Sequence, residues 1–164
     1  PKTDTRDGER IIRSRIGLQE PCLYVDEFLE YLDRPESRTF ACLKKKSYAA
    51  VIVDEAQFLT AQQVDRLSDI VDDFGVPVLC YGLRTDFTGH LFEGSKRLME
   101  IADEIEEVPT VCWCGRAATF VARFGKDGAM VTEGGQFMLG SNDRYVSVCR
   151  KHHKQGLLWS PRAE

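Results

Sequence analysis

No stretch of about 18 consecutive apolar residues occurs in the 164-residue chain, so no membrane-spanning helix is expected. No basic-then-apolar leader opens it, so no secretory signal is expected. An excess of positive charge is also missing. The 22 Lys and Arg stand against 26 Asp and Glu, a formal net charge of −4, which disfavours bulk electrostatic wrapping of nucleic acid. Internal repeats and low-complexity tracts are absent. What is present is ordinary globular composition, 43% hydrophobic and 29% charged, which excludes a wholly disordered chain. The length suits one domain, or one domain and a small module. The chain starts at Pro1, and PKTDTRDGER reads as interior sequence, so a segment ahead of it is expected.

The six cysteines do not read as a disulfide framework. Cys22, Cys42 and Cys80 are scattered singly, as buried reduced thiols are. Cys112, Cys114 and Cys149 lie near His152, and that clustering points to a metal and a reducing compartment.

Residues 1–21 are polar and Arg-rich, and predict a loop followed by a short strand near RIGL. Val25, Phe28, Leu29 and Leu32 predict a short amphipathic helix, followed by a polar loop carrying Pro35. Lys44–Lys46 reads as solvated surface. Ala49–Val53 is an uninterrupted apolar run and predicts a strand buried on both faces. Thr60 then offers an N-cap, with Gln63 as its capping-box partner and Gly75 as the stop; Val64, Leu67, Ile70, Val71 and Phe74 fall at helical spacing between them. Val76–Leu83 predicts a second buried strand. Strand, helix and strand at this length make a βαβ unit with a parallel sheet. A polar loop over 84–92 precedes a helix expected from about Gly94 to Glu107. After Pro109 the pattern changes to short strands, TVCWC, ATFVARF and RYVSVC, with a Gly-rich loop from Gly125 to Asp143 between the last two. The fold class is therefore α/β with a small C-terminal β module, divided at 1–107 and 108–164.

Asp54 and Glu55 end the first buried strand, where ligands of parallel α/β sheets bind. Asp54 can hold Mg²⁺, as the acid ending a Walker-B strand does, and Glu55 can take a proton from a hydroxyl nucleophile. A solvated, idle acidic pair is the bland alternative. Phe58 can stack a base or sit in the core. Cys112-Trp-Cys114 with Cys149-Arg-Lys-His152 offers three thiolates and one imidazole, a closed tetrahedral Zn²⁺ set, and closed sets are structural. His153 is an alternative to His152; the C-x-x-H spacing favours His152. The 125–143 loop has a lid's composition, and Tyr145 stands where it re-enters the strand. Asp4 and Arg6 read as surface, although an Arg near a carboxylate pair can contact phosphate. No G-x-x-x-x-G-K-[ST] occurs; Gly125-Lys126-Asp127 fails the pattern.

Together these segments resemble the zinc-ribbon (type II) cytosolic thymidine kinases in their bacterial form. DTR (Asp4–Arg6), SRIGL (Ser14–Leu18), VDEAQFL (Val53–Leu59), PVLCYGLRTDF (Pro77–Phe87), LFEGS (Leu91–Ser95), CWCGRAA (Cys112–Ala118) and GSNDRYVSVCRKH (Gly140–His152) stand in the family's order. The resemblance implies a P-loop/RecA-like parallel sheet core and a zinc-ribbon module whose lid is the family's thymidine-binding lasso. It implies transfer of the γ-phosphate of ATP, with Mg²⁺, to the 5′-hydroxyl of thymidine, in the deoxyribonucleoside salvage that feeds DNA synthesis. Glu55 would be the general base. Asp4 and Arg6, with Asp54, would lie near metal and phosphate. Phe58, Leu83, Phe87 and Phe92 would surround the thymine and sugar, and Val121, Met138, Gly140 and Tyr145 would be lasso contacts. Cys112, Cys114, Cys149 and His152 would hold Zn²⁺. A cytoplasmic homotetramer inhibited by thymidine triphosphate is implied, with no nucleic-acid or membrane partner. A lid that grips the base through main-chain groups would accept deoxyuridine and reject cytosine. The family's first strand, P-loop and following helix have no counterpart in this sequence, so the chain as given is expected to bind ATP poorly and turn over little.

Two other readings fit parts of the pattern. DEAQ resembles a helicase Walker-B box, which suggests a helicase-like ATPase fragment. Arg150, Lys151 and Lys154 beside the Cys/His set suggest a non-catalytic zinc-ribbon module for nucleic acid.

Overall fold

The computed structural model describes residues 10–13, 16–136 and 144–160. The chain divides into two compact units, Pro1–Gly82 and Leu83–Glu164.

The first unit opens with an antiparallel hairpin, β1 (Ile11–Arg13) on β2 (Gln19–Pro21), in register Ile12↔Glu20. The short strand expected near RIGL is β2, which begins at Gln19 directly after Leu18. Ile16 to Leu18 form the exposed turn, where Gly17 takes a left-handed φ of 90° that stops a strand from running through it. Helix α1 (Val25–Leu32) is as expected. The polar stretch after Pro35 holds a second helix, α2 (Arg38–Lys44), started by Ser37, whose hydroxyl accepts from Phe40 N at 3.0 Å. Leu43 anchors α2 in the core, and Lys44, Lys45 and Lys46 are exposed as expected.

β3 (Val51–Val53) runs parallel to β4 (Val78–Cys80), paired Val51↔Val78 and Val53↔Cys80. Between them a 3₁₀ turn (Ala56–Phe58) leads into α3 (Ala61–Phe74). The helix is delimited as the sequence predicts. Thr60 and Gln63 exchange side-chain-to-backbone hydrogen bonds at 2.9 and 3.2 Å, and Gly75 closes the helix at φ 63°. Val64, Leu67 and Ile70 face the core, and Phe74 meets Phe40 of α2 edge-on at 5.5 Å. The expectation of burial on both faces does not hold among the described residues. Alternation sends Ile52 and its register partner Leu79 to an uncovered face, where they are 65% and 39% exposed, while Val53 is buried.

In the second unit, α4 spans Glu93–Ile101 and stops six residues short of the expected Glu107. Ala102 turns extended, and Ile105 is 62% exposed. Asp103, Glu104, Glu106 and Glu107 would have stacked negative charge on the negative end of the helix dipole, which opposes extension. TVCWC is not a strand. Apart from a bridge, Val111↔Ala117, it is a knuckle held by Cys112 N on Arg116 O and Gly115 N on Cys112 O, both 2.8 Å. The sheet that follows is antiparallel, with β5 (Phe120–Phe124) at its centre between β6 (Met130–Val131) and β7 (Arg144–Val148). The expected lid thus begins as a hairpin. Gly125 N bonds Ala129 O at 3.0 Å, Gly128 takes φ 79°, and Phe124 pairs with Met130. A last helix, α5 (Arg150–Gln155), ends at Gly156. No helix among the described residues is long and apolar enough to cross a membrane.

The two faces of the 120–148 sheet have different tasks. Phe120, Ala122 and Phe124 alternate to one side, joined by Val146, Val148 and Met130, and form a core with Cys112, Cys149 and Leu158. Val121 and Arg123 point the other way, beside Ser147, Tyr145 and Val131.

Candidate functional site

The carboxylate pair lies in the first unit. The parallel ladder continues past β3 and β4 as Tyr81 N on Val53 O (2.8 Å) and Ala56 N on Tyr81 O (2.9 Å), so the strand end is fixed where the acids begin. Asp54 is exposed, and its Oδ1 accepts from Glu55 N at 2.9 Å. Glu55 takes φ 54° and ψ 38°, a left-handed backbone uncommon for a residue with a side chain. Such strain persists only where the surroundings enforce it, and it gathers at functional sites. The side-chain amide of Gln57 donates to Glu55 Oε2 at 2.5 Å. Gln57 is only 2% exposed. Phe58, three residues past Glu55 at the end of the 3₁₀ turn, is half-buried.

The metal-ligand set lies in the second unit. Cys112 and Cys114 flank the knuckle, Cys149 caps α5, and His152 sits in that helix's first turn. Their four ligand atoms lie within 4.8 Å of one another. Cys112 Sγ and His152 Nδ1 are 3.4 Å apart, and Cys114 Sγ and Cys149 Sγ are 4.0 Å apart. A tetrahedral zinc with ordinary bond lengths needs edges of about 3.6 Å for sulfur–nitrogen and about 3.8 Å for sulfur–sulfur. The set therefore fits Zn²⁺ and leaves no open position. The protonation states agree. Arg116, through its side chain and then its backbone, lowers the Cys114 thiol to about 6 from an ordinary 9.0, towards thiolate. Burial, helped by the charges of Arg116 and Lys151, lowers His152 and favours the neutral ligand form. Trp113 stacks flat on His152 and donates its indole N–H to Leu157 O at 3.3 Å. His153 is occupied elsewhere: its Nε2 donates to Phe87 O at 2.8 Å, and of the pair it is His152 that lies with the three thiols. Cys80 is a half-buried thiol pushed up to about 11 by burial, and no cysteine is in a disulfide.

Of the residues expected around a nucleoside, Phe87 and Phe92 are buried, while Leu83 and Tyr145 are exposed. Val121 and Tyr145 share the sheet face opposite the metal core, and the Arg123 guanidinium on that face lies 4.3 Å from the centroid of the Phe87 ring. Leu83 is tied to α4 by Ser95 Oγ, which donates to its carbonyl at 2.6 Å. Asp4, Arg6, Met138 and Gly140 lie outside the described residues.

Three residues here escape the sequence reading. Gln57 carries no periodic signal. Arg123 reads as an ordinary strand cation but is buried. Asp86, nearly fully buried, organises the 84–92 turn: its Oδ1 accepts from Thr88 N, Thr88 Oγ1 and His90 N at 2.6–3.0 Å. Burial pushes its carboxyl up, but the Thr88, His90 and Gln136 donors outweigh this and hold it below its ordinary value. The Asp-x-Thr-Gly pattern is an Asx-turn signature that points to it.

These features define an α/β protein with a Cys₃His cluster compatible with a zinc ribbon. A family model described as thymidine kinase matches residues 1–153. The chain is 48% identical over 156 residues to a thymidine kinase of Haemophilus influenzae, covering 93% of this chain and 77% of that one. It is 48% identical to one from Jannaschia sp. (94% and 77% covered) and 45% identical to one from Salmonella choleraesuis (94% and 73%). The chain belongs to the thymidine kinase family.

Proposed function

We propose that the protein phosphorylates thymidine for nucleotide salvage, transferring the γ-phosphate of ATP to the 5′-hydroxyl. The observation that carries this reading is Glu55, held at the end of a parallel strand in a chain of this family. The thymidine hydroxyl gives its proton to Glu55 as its oxygen bonds the γ-phosphorus. The bond from that phosphorus to the β–γ bridging oxygen breaks, and ADP leaves. Asp54, with Asp4, offers the hard oxygen donors that suit Mg²⁺, which supplies charge neutralisation on the phosphates when bound. Arg6 would pair with phosphate.

Residues 1–107 would carry this chemistry on a P-loop/RecA-like core, and 108–164 would hold the nucleoside under the lasso. Phe87, Phe92, Leu83 and Phe58 suit the thymine and sugar by their apolar character. Val121 and Tyr145, sharing one sheet face, would contact the nucleoside together with Met138 and Gly140. Zn²⁺ on Cys112, Cys114, Cys149 and His152 would brace the base of the lasso. A cytoplasmic homotetramer, with thymidine triphosphate as feedback inhibitor, completes the proposal.

The test is thymidine phosphorylation by the intact protein and its Glu55→Gln variant. The variant is expected to keep thymidine affinity and lose about 10²- to 10⁴-fold in turnover. Unchanged turnover would remove Glu55 from its role.

A further inference from the structure

We propose that Gln57 is a positioning residue for Glu55, and that Gly82 at the end of the neighbouring strand is glycine to make room for it. The proposal rests on the reading of Glu55 as the base.

Gln57 is buried, and one of its polar contacts is with the carboxylate of Glu55. The amide nitrogen reaches back two residues to Glu55 Oε2, and with that oxygen engaged, Oε1 is the one left for a hydroxyl proton. The left-handed backbone at Glu55 turns the chain so that the two side chains meet. Gly82 follows Tyr81, whose carbonyl holds Ala56 N. A Cβ on Gly82 would lie 2.4 Å from Gln57 Oε1, 3.0 Å from Gln57 N and 3.2 Å from Ala56 N. No side chain fits there without moving the Gln57 amide. Gly82 has no left-handed φ to explain it, so space is what its lack of a side chain supplies. Asp54, bonded to Glu55 N, is the charged neighbour on the same segment, and the β4 side presents the neutral Tyr81 carbonyl. A base whose carboxylate swings free loses the alignment that proton transfer needs.

The experiment is steady-state kinetics on the intact protein with Gln57→Leu, Gln57→Glu and Gly82→Ala, alongside Glu55→Gln. Gln57→Leu is expected to lower kcat about tenfold to a hundredfold, with KM for thymidine within about twofold. Gly82→Ala is expected to show the same split in milder form, and to add little once Gln57 is Leu. In Gln57→Glu a second carboxylate faces the first, so the acid limb of the pH–rate profile is expected to move up by about a unit or more. A merely structural role would lower the melting temperature and leave that limb in place. If Gln57→Leu does not fold, Gly82→Ala and Gln57→Glu decide. The proposal is overturned if folded, zinc-loaded variants keep kcat within about twofold, or if the acid limb of Gln57→Glu does not move. Should Glu55→Gln be inactive while the Gln57 variants behave as wild type, Gln57 alone loses its role. Should Glu55→Gln retain turnover, the base assignment itself falls.

Discussion

The indole of Trp113 lies flat on the imidazole of His152, centroids 4.1 Å apart and planes inclined by 4°. An aromatic neighbour between Cys112 and Cys114 thus fixes the ring plane of the one imidazole in the Cys₃His cluster, as outer contacts around metal sites commonly do.

Removal of zinc is therefore expected to change Trp113 emission together with the loss of cooperative unfolding in the second unit. Metal analysis should find about one zinc per wild-type chain and a marked deficit in Cys114→Ser. Full zinc content in Cys114→Ser would exclude this thiolate as a ligand.

Asp86 predicts a pH dependence. Its carboxyl is held below the ordinary value of 3.8, so its contribution is fully present above that value and fades as the pH falls through the lower folded value. Asp86→Asn, which weakens acceptors for three donors, should destabilise the protein by about 1–3 kcal/mol at neutral pH. In urea melts the gap from wild type should narrow below about pH 4; a constant gap would contradict the assignment.

The α3 capping box predicts a smaller effect. Thr60→Ala should cost about 1 kcal/mol, and adding Gln63→Ala should cost less than the sum, because each residue serves the other's turn. Thermal melts of the single and double variants report it.

Main-chain recognition of the base, which the family resemblance implies, would set nucleoside choice. Deoxyuridine should be phosphorylated with efficiency near that of thymidine. Deoxycytidine should be disfavoured by about 1–3 kcal/mol for each buried group left unpaired. Competition assays with the three nucleosides would show equal use of deoxycytidine if the base is not read this way.

The β3–α3–β4 segment was legible because each boundary has its own local chemistry: Thr60 and Gln63 at one end, Gly75 at the other, and β-branched runs on both sides. Where signals conflict, sequence misleads. Ile105 continues the α4 periodicity, but the surrounding acids end the helix before it. Pro35 hides α2, although Ser37 already marks its start. TVCWC alternates like a strand, but a knuckle brings its two thiols into one cluster with Cys149 and His152. The metal set was legible because ligand spacing is local. The Gln57–Glu55 contact was not, since it lies against Gly82, distant in sequence and just past the end of β4.

The alternation along β5 has a consequence for insertions and deletions. Phe120, Ala122 and Phe124 belong to the interior that holds the thiols, and Val121 and Arg123 to the opposite surface. Gaining or losing a single residue here would exchange the two populations at a stroke, seating a guanidinium among the cysteines. The length of this strand is as tightly constrained as its composition.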